Sequence, residues 1–347
     1  MPSTQDFAEQ VQPSGTGSAT EPQRGGRRLV TAARVLIGLA LLGYVLHLAD
    51  WGELVAQLAH AELLWLPAVL LVAPLNVAVS VRKWQIILRA RRHRLPFRTL
   101  FGWYVLSQFY KHLLPSSAGG DVVRAVLLSR RIGSPRDALG SIVVERFTGM
   151  TVLIALAVAS VLLAPALREH LVLVALVAAA AGLYLALLLA MLNLPLVRLL
   201  QRVLGRWRLA GRLIGKLERF QMSLHQHGRH PWVLARALGL SLLFHLGAMA
   251  LIYFICRLLG QPVSPLAVAV AVPVVMAVAL LPISLSGLGL AEWALMTTFA
   301  ALGSTAALGL AAALVWRAWT IVWSAGGYFV LLFVGRSRAP AADAGTA

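Results

Sequence analysis

The stretch HLLPSSAGGD, residues 112–121, places a proline, two serines, two glycines and an aspartate in the middle of a hydrophobic chain. A related stretch, LLPISLSGLG, follows at residues 280–289. Both contain the pattern Leu-Leu-Pro-x-Ser and then run through glycines to an acidic residue, Asp121 in the first copy and Glu292 in the second. Broken hydrophobic segments at corresponding positions of two halves point to the binding site of a membrane transporter built as an internal repeat. We therefore expect these two stretches to organise the fold.

The composition is that of a membrane protein. Of the 347 residues, 59% are hydrophobic and 13% are charged, against about 25% charged residues in a soluble domain. The net charge of +18 comes from basic residues that cluster between hydrophobic runs. Membrane topology and attraction to anionic lipids explain that placement, so no nucleic-acid partner is expected. The single cysteine, Cys256, excludes an internal disulfide and a cysteine-based metal cluster.

Six runs are long enough to cross a bilayer as helices, which takes about 20 mostly apolar residues. The predicted spans are 29–47, 62–81, 138–164, 171–194, 232–256 and 306–334. Two pairs of shorter runs remain, 99–114 with 118–130 and 265–281 with 288–303. The sequence therefore predicts an all-α, polytopic membrane helix bundle of about six full spans, with eight or more membrane helices in all.

The distribution of arginine and lysine predicts that each short pair begins and ends on the same face of the membrane, and the 25 residues from 99 to 123 are too few for two full spans, so we expect re-entrant hairpins. Residues 82–98 carry seven basic residues and residues 198–236 carry nine, which places both segments inside, whereas residues 48–61 carry none and lie outside. Counting through the spans puts both ends of the first pair inside and both ends of the second pair outside. The hairpins are thus expected to enter from opposite faces as an inverted repeat. The same count would hold if either pair formed two full spans.

The remaining segments are predicted to flank or connect one transmembrane domain, residues 28–335. Residues 1–27, rich in Ser, Gly, Gln, Pro and Thr, are expected to form a disordered cytoplasmic tail, and residues 336–347 a short one. Within residues 196–230, a basic amphipathic helix is predicted at the cytoplasmic interface, either as a connector or as a lipid-recognition element. We expect a multi-pass protein of the inner (cytoplasmic) membrane with both termini in the cytoplasm.

Few charges are predicted at membrane depth, where an ionisable side chain costs about 2.5–3.5 kcal/mol at the centre of a helix. The acids are Asp121, Glu145 and Glu292, and the bases are Lys111, Arg124, Arg146 and Arg317. Two explanations stay open. Either these charges neutralise one another, or one or more arginines bind a ligand phosphate, to which the guanidinium group can donate two parallel hydrogen bonds.

The hairpin tips favour an anion-binding cavity near the middle of the membrane. Backbone left unpaired by Pro115 and the glycines cannot face lipid, and a helix that starts near Asp121 directs its free N–H groups toward the tip. Further candidates provide hydroxyl donors or a close backbone approach, namely Ser116, Ser117, Ser284, Gly119, Gly120, Gly287 and Gly289. The alternative is a packing role for the glycine pair and a helix-capping role for Asp121.

No catalytic signature is found, so an enzyme is not expected. The patterns G-x-S-x-G, H-E-x-x-H and G-x-x-x-x-G-K-[ST] are absent from the sequence. His112 with Ser116 or Ser117 has no orienting third residue. The histidines at 225, 227 and 230 have no acidic or cysteine partners nearby, so no metal and no cofactor are expected.

Four motifs in order resemble the lysylphosphatidylglycerol synthase transmembrane family. They are Arg82-Lys83-Trp84, then residues 114–121 followed by Arg124, then Glu145-Arg146, and finally Pro282-x-Ser284-x-x-Gly287-x-Gly289-x-x-Glu292. The resemblance covers roughly residues 29–335, and motif positions of the family fall on Pro115, Gly119, Gly120, Asp121, Arg124, Glu145, Arg146, Gly287, Gly289 and Glu292. Asp121 stands where relatives are also expected to carry glutamate.

The resemblance implies a flippase-like helical domain that moves, or helps present, lipids with charged or glycosylated headgroups. Larger members add a soluble aminoacyl-transferase domain after the membrane part, whereas some are stand-alone membrane proteins of the YbhN kind. Only residues 335–347 follow the last predicted span here, so we expect a stand-alone protein without the soluble domain.

The resulting hypothesis is a lipid transporter that holds a phospholipid or polyprenyl-phosphate headgroup between the two tips. Arg124, Arg146 and Arg317 are expected to contact the phosphate, and the three acids to hold those arginines or a cationic headgroup. The alternative is a scaffold or accessory subunit of a lipid-modifying enzyme. The expected partners are membrane lipids with anionic or phosphate-containing headgroups, together with a second copy of the chain or a lipid-modifying enzyme.

Overall fold

The computed structural model describes residues 22–47, 51–113, 119–192, 231–284 and 287–336, and the regular elements in these ranges are all helices. They are α1 (Pro22–His47), α2 (Trp51–Ala59), α3 (Leu66–Ala90), α4 (Phe97–Leu113), α5 (Gly119–Ile132), α6 (Pro135–Leu163), α7 (Pro165–Arg168), α8 (Leu171–Leu192), α9 (Pro231–Leu258), α10 (Pro265–Ala279), α11 (Leu290–Ala301) and α12 (Ala306–Arg336). A short 3-10 turn, Leu63–Trp65, leads into α3. The predicted all-α fold is confirmed. The amphipathic helix predicted within 196–230 lies outside the described residues.

Five of these helices are long and apolar enough to cross a membrane, namely α3 with its 3-10 turn, α6, α8, α9 and α12. Each corresponds to a predicted span. The sixth predicted span, 29–47, lies within α1, which has 26 residues. Because α1 begins at Pro22, residues 22–27 of the predicted tail are helical. Large apolar side chains such as Leu64 and Leu163 stay exposed on the protein surface, which suits contact with lipid.

Proline residues mark the starts of several helices. Pro135 stands in the first turn of α6, and the preceding Ser134 hydroxyl accepts a hydrogen bond from the Asp137 N–H at 3.3 Å. Pro231 and Pro265 begin α9 and α10. Proline is favoured there because the first N–H groups of a helix have no partner within it. The spans therefore begin near the positions that the hydropathy pattern indicates.

The two short pairs of runs form helical hairpins, α4 with α5 and α10 with α11. Their helices contain 17, 14, 15 and 12 residues, which corresponds to about 18–26 Å at 1.5 Å per residue. The hydrocarbon core of a bilayer is about 30 Å thick. These helices are too short to span it singly, so the structure favours re-entrant hairpins over additional full spans.

The two halves of the chain meet along α3 and α9, which run antiparallel. Close to the start of α3, the Glu62 N–H donates to the Leu258 carbonyl at 2.7 Å. Toward the end of α3, the Lys83 ammonium donates to the Ser241 hydroxyl, early in α9, at 3.1 Å. Corresponding helices of the two halves thus cross the molecule in opposite directions.

The hairpins enter from opposite ends of the molecule. At the arginine-rich end, Arg91 after α3 forms an ion pair with Asp137 at the start of α6, and α4 begins and α5 ends between them. At the other end, Thr305, which follows α11, donates to Glu53 of α2 at 3.1 Å. The end of α9 and the start of α10 lie there too, beside the start of α3. This arrangement matches the one predicted from the arginine distribution.

Packing partners repeat between the halves. Helix α3 packs on α4 and α6 as α9 packs on α10 and α12, and α4–α5–α6 contacts are repeated by α10–α11–α12. Across the halves, α4 packs on α12 and α10 packs on α6. Because α3 and α9 are antiparallel, this repetition is an inverted repeat, the architecture in which transporter sites form at the repeat interface.

Helix α3 is longer than the predicted span and carries a buried lysine. The prediction ended the span at residue 81 and assigned Arg82 and Lys83 to an inside basic segment, whereas α3 continues to Ala90. Arg82 is exposed, but Lys83 is only 6% exposed and lies among buried neighbours such as Trp84. A hydropathy count stops at two consecutive basic residues, although a helix turns by about 100° between them and can direct them to different surroundings.

Candidate functional site

Helix α5 starts at the tip of the first hairpin, with Asp121 in its first turn. A Cβ atom on Gly120 would overlap the Ser107 carbonyl oxygen of α4, so glycine is what lets the two helices meet this closely. The N-terminal N–H groups of α5 face the tip and favour negative charge there. Ser116 and Ser117, both predicted site residues, lie outside the described residues.

A network of ion pairs joins α5 to α6 beside this tip. The Arg124 guanidinium contacts Asp121 at 2.6 Å and Glu145 at 2.8 Å. The Arg146 Nε contacts the second Asp121 oxygen at 2.8 Å. Arg124 is 1% exposed and Glu145 4% exposed. The structure thus brings together the four charged residues that the sequence predicted as binding residues in this half, and it pairs both acids with arginines.

Two aromatic rings hold the Arg124 guanidinium from α3 and α4. Its carbon lies 5.0 Å from the Trp84 ring centroid and 4.4 Å from that of Tyr104. The Tyr104 hydroxyl donates to Glu145 at 3.2 Å, and the Trp84 indole N–H donates to Ser141 at 3.0 Å. Cation–π contacts of this kind strengthen when the cation is removed from water. Arg124 is thereby held in one position by four helices.

Lys83 is a member of this site that the sequence prediction missed. Its ammonium donates to the Glu145 backbone carbonyl and to the Ser241 hydroxyl, both at 3.1 Å. It therefore links α6 of the first half to α9 of the second. The motif Arg82-Lys83-Trp84 was quoted for the family resemblance, but sequence alone did not indicate which of its basic residues points inward. The available signal is the spacing: Ser80, Lys83 and Trp84 stand at i, i+3 and i+4, which places them on one face of a helix, and all three are buried.

Bases outnumber acids in what we call the first polar centre. It consists of Lys83, Tyr104, Lys111, Asp121, Arg124, Glu145 and Arg146, four bases and two acids. Lys111, on α4, lies beside Gly120 of α5 and within electrostatic reach of Arg146 and Asp121. The Arg146 side chain keeps 51% of its surface exposed, although its Nε is bonded to Asp121. This excess of positive charge, partly accessible, favours an anionic ligand.

The second polar centre consists of Gly287, Glu292 and Arg317, at the tip of the second hairpin. Gly287 and Gly289 have φ angles of +72° and +75°, which favour glycine, and Gly289 also packs against Leu41 of α1. The Arg317 Nε forms an ion pair with Glu292, and its NH2 group lies 3.5 Å from the Gly287 carbonyl. These are the residues predicted for this half.

Unpartnered polar atoms lie in and next to the second polar centre. Glu292 is 1% exposed, and its second carboxylate oxygen has no hydrogen-bond partner among the described residues. The same holds for the hydroxyl of Ser284, a predicted site residue that is 5% exposed. Buried polar atoms normally find partners, so this tip retains capacity for hydrogen bonding.

The two centres contain equivalent ion pairs. Asp121 in the first turn of α5 pairs with Arg146 on α6, and Glu292 in the first turn of α11 pairs with Arg317 on α12, each arginine 25 residues after its acid. Arg124 and Glu145 have no such counterparts, because Leu295 and Trp316 stand at the equivalent positions. The repeat therefore preserves one ion pair in each half and adds charge in the first half.

The two centres lie at different levels along α4 and α12. Gly327 of α12 lies against the Val105 carbonyl of α4, next to Tyr104, whose ring faces Arg124 of the first centre. Arg317 of the second centre stands ten residues before Gly327 on α12, which corresponds to about 15 Å along the helix. The ion pairs of each centre stay within its own half of the chain.

The fold and these sites define a polytopic, α-helical membrane protein with an inverted repeat of re-entrant hairpins. Comparison with protein families identifies the particular family: residues 31–327 match the lysylphosphatidylglycerol synthase TM region. This match covers most of the chain, which therefore belongs to that family, as the four sequence motifs indicated. No curated protein matches the chain in sequence.

Proposed function

We propose that this protein is a lipid transporter of the flippase kind, which translocates or presents a lipid with a phosphate-containing headgroup. The substrate class is a phospholipid or a polyprenyl phosphate. The observation that carries the proposal is the pair of equivalent ion pairs, Asp121–Arg146 and Glu292–Arg317, on hairpins that enter from opposite ends. Membership of a membrane lipid-related family supports the same class of substrate.

The charge balance of the first polar centre supports a phosphate ligand. Four bases share two acids there, and the Arg146 side chain is half exposed. A phosphate can bind the outer nitrogens of Arg146 while Nε stays on Asp121, since guanidinium presents five donors in a planar fork. The N–H groups at the start of α5 add dipoles of the same sign. The acids hold the arginines in place, so the site needs no large rearrangement to accept an anion.

The inverted repeat supports translocation rather than binding alone. In this architecture, alternating access arises when one repeat moves against the other around a fixed central site. Here each repeat carries its own ion pair, so a headgroup released by one pair can pass to the other as the repeats move. The lipid tails remain in the hydrocarbon during this movement. We further propose that the arginine-rich end faces the cytoplasm, in accordance with the positive-inside rule.

The proposal is tested by reconstituting the protein into vesicles that contain a headgroup-labelled phosphatidylglycerol. Movement of the label between leaflets is followed by quenching with an impermeant reductant. We expect faster translocation than in protein-free vesicles, and a return to the protein-free rate for Asp121→Asn and for Arg146→Gln. Arg89→Gln, an exposed arginine at the end of α3, is the matched control and is expected to keep the wild-type rate.

The scaffold alternative predicts a different pattern. If the arginine-rich segment docks a lipid-modifying enzyme, neutralising Arg198, Arg202 and Arg206 abolishes function in cells while Asp121→Asn is tolerated. Wild-type protein that fails to accelerate the movement of any tested anionic lipid or polyprenyl phosphate would overturn the transporter proposal. If protein-dependent translocation is measurable and a substitution at Asp121 does not change its rate, the first polar centre has no role in transport.

A further inference from the structure

A groove separate from both polar centres runs between α3 and α9. Its volume is about 760 Å³, within the range of about 300–1,000 Å³ that is typical of ligand sites. A second cavity of about 480 Å³ shares Arg82 and Leu240 with it and extends it toward Ile86 and Arg236. The two cavities therefore form one continuous groove that ends at the arginine-rich end of the molecule.

The groove follows from matching stripes on the two helices. On α3 it is lined at Val72, Leu75, Val79 and Arg82, and on α9 at Leu240, Leu243, Gly247 and Ala250, each a spacing of three, four and three residues. Such a spacing keeps side chains on one face of a helix. Apart from Arg82 at its end, Asn76 is the one polar side chain among these lining residues, and it lies against Gly247. The floor of the groove is otherwise apolar.

Two arginines flank the end of the groove. Arg82 and Arg236 are both exposed; the first donates to the Gln85 side chain at 2.7 Å, and the second lies 5.0 Å from the Trp232 ring centroid. Among the described residues that line either cavity there is no acid. An apolar groove that ends in two cations complements an amphiphile with an anionic headgroup, not a neutral one.

The length of the groove matches one leaflet of a bilayer. From Val72 to Arg82 helix α3 rises about 15 Å, half of the roughly 30 Å hydrocarbon core. The whole span Leu63–Ala90 has 28 residues, or about 42 Å. It therefore extends past the core, which leaves Arg82 near the headgroup level. Arginine and tryptophan both favour that level, since each combines an apolar body with a polar end.

We propose that this groove is a binding site for one anionic glycerophospholipid. Its phosphate binds Arg82 and Arg236, and one acyl chain lies along the apolar stripe toward Val72 and Ala250. The bound lipid bridges α3 and α9, the helices along which the two halves of the chain meet. The site is independent of the headgroup site proposed at the hairpin tips, because it shares no residue with either polar centre.

Native mass spectrometry of the purified full chain tests this site. The protein is incubated with phosphatidylglycerol or with phosphatidylcholine of the same acyl chains, and retained lipid is counted per chain. We expect preferential retention of phosphatidylglycerol, and about tenfold weaker retention in Arg82→Gln/Arg236→Gln, since each basic side chain near the membrane surface adds attraction for an anionic headgroup. Arg89→Gln, an exposed arginine outside the lining, is expected to match the wild type.

A second variant and a cross-linking experiment address the acyl chain. Ala78→Trp fills the groove without altering the arginines, so it is expected to lower retention of both lipids. Phosphatidylglycerol with a photoactivatable group on its acyl chain is expected to label α9 near Leu243 and Leu246. Retention in the double arginine variant equal to that of the wild type would overturn the proposal. Labelling confined to the hairpins, to α8 or to residues 193–230 would overturn it as well.

Discussion

At the residue scale, Arg124 is the side chain on which four helices meet. Its guanidinium contacts Asp121 of its own helix and Glu145 of α6, and it lies against Trp84 of α3 and Tyr104 of α4. A charge buried this deeply is tolerated only when its partners are present. The first polar centre therefore holds together helices α3, α4, α5 and α6.

Arg124→Leu is expected to destabilise the protein by about 3–5 kcal/mol, because it leaves the Glu145 carboxylate buried without its cation. The double substitution Arg124→Leu/Glu145→Leu is expected to recover a large part of this loss, since both buried charges are then removed. Thermal unfolding of detergent-solubilised protein measures both changes. A single variant as stable as the wild type would show that Glu145 has another partner. Arg146→Gln, at a half-exposed position, is the milder comparison.

Gly120→Ala tests the close approach of α4 and α5. The added methyl group would overlap the Ser107 carbonyl oxygen, so the hairpin must open, at a cost of about 1–3 kcal/mol. Gly182→Ala on α8 is the matched control, because the space around its Cβ position is open and alanine favours a helix. The measurement is the thermal midpoint of each variant. Equal midpoints for Gly120→Ala and the wild type would contradict the observed packing of the hairpin.

At the scale of elements, the two hairpins are distinguished by the end from which they enter. Helix α4 begins at the arginine-rich end and α10 begins at the opposite end, although both carry the same Leu-Leu-Pro-x-Ser pattern at their tips. The helices described in the two hairpins have at most 17 residues and are too short to cross the core alone. The unpaired backbone at each tip is therefore expected to lie within protein or in a wet cavity.

Cysteine labelling is expected to reach the two hairpin starts from opposite faces of the membrane. Arg98→Cys and Ser264→Cys both lie at exposed positions, one at the start of α4 and the other just before α10. Cys256, which is fully buried, is replaced by alanine in both. In sealed vesicles, an impermeant thiol reagent is expected to modify one variant, and to modify the other after the membrane is permeabilised. Modification of both from the same side would contradict the inverted arrangement.

At the scale of the whole molecule, each half contains one of the two equivalent ion pairs, so the effect of removing the pair in the second half can be compared with that in the first. Arg317→Gln is expected to destabilise the protein by several kcal/mol, because Glu292 is 1% exposed and loses its cation. Glu292→Gln/Arg317→Gln is expected to recover stability, since no buried charge is left unpaired. Translocation is expected to stay absent in the double variant, as in Asp121→Asn. Thermal unfolding and the vesicle assay separate the two effects.

A double variant in the second half that translocates lipid at the wild-type rate would show that one polar centre is sufficient. In that case the inverted repeat would have a structural role, and the first polar centre alone would bind the headgroup. Loss of translocation in a folded double variant supports a role for both halves.

Much of this architecture followed from local features of the chain. Hydropathy placed the spans within a few residues, with two exceptions: the helix of the first span begins at Pro22 rather than at residue 29, and the span predicted to end at residue 81 continues as a helix to Ala90. The positions of proline and glycine predicted where the hairpin tips lie. The distribution of arginine predicted that the two hairpins enter from opposite ends. The sequence also selected Asp121, Arg146, Glu292 and Arg317. It could not pair them, because acid and arginine stand 25 residues apart on different helices.

The sequence by itself determined the class of the protein, because a helix that must satisfy its own backbone in lipid leaves a simple pattern of apolar length and interrupted segments. It also determined the repeat, since Leu-Leu-Pro-x-Ser followed by glycines and an acid occurs twice. Only the tertiary structure decided which charges are buried together. Lys83 and Trp84 enter the first polar centre through the packing of α3 against α6 and α9, while the adjacent Arg82 turns to a groove at the surface. The physical reason is that burial depends on which helix faces meet, and that contact is made between residues far apart in the chain.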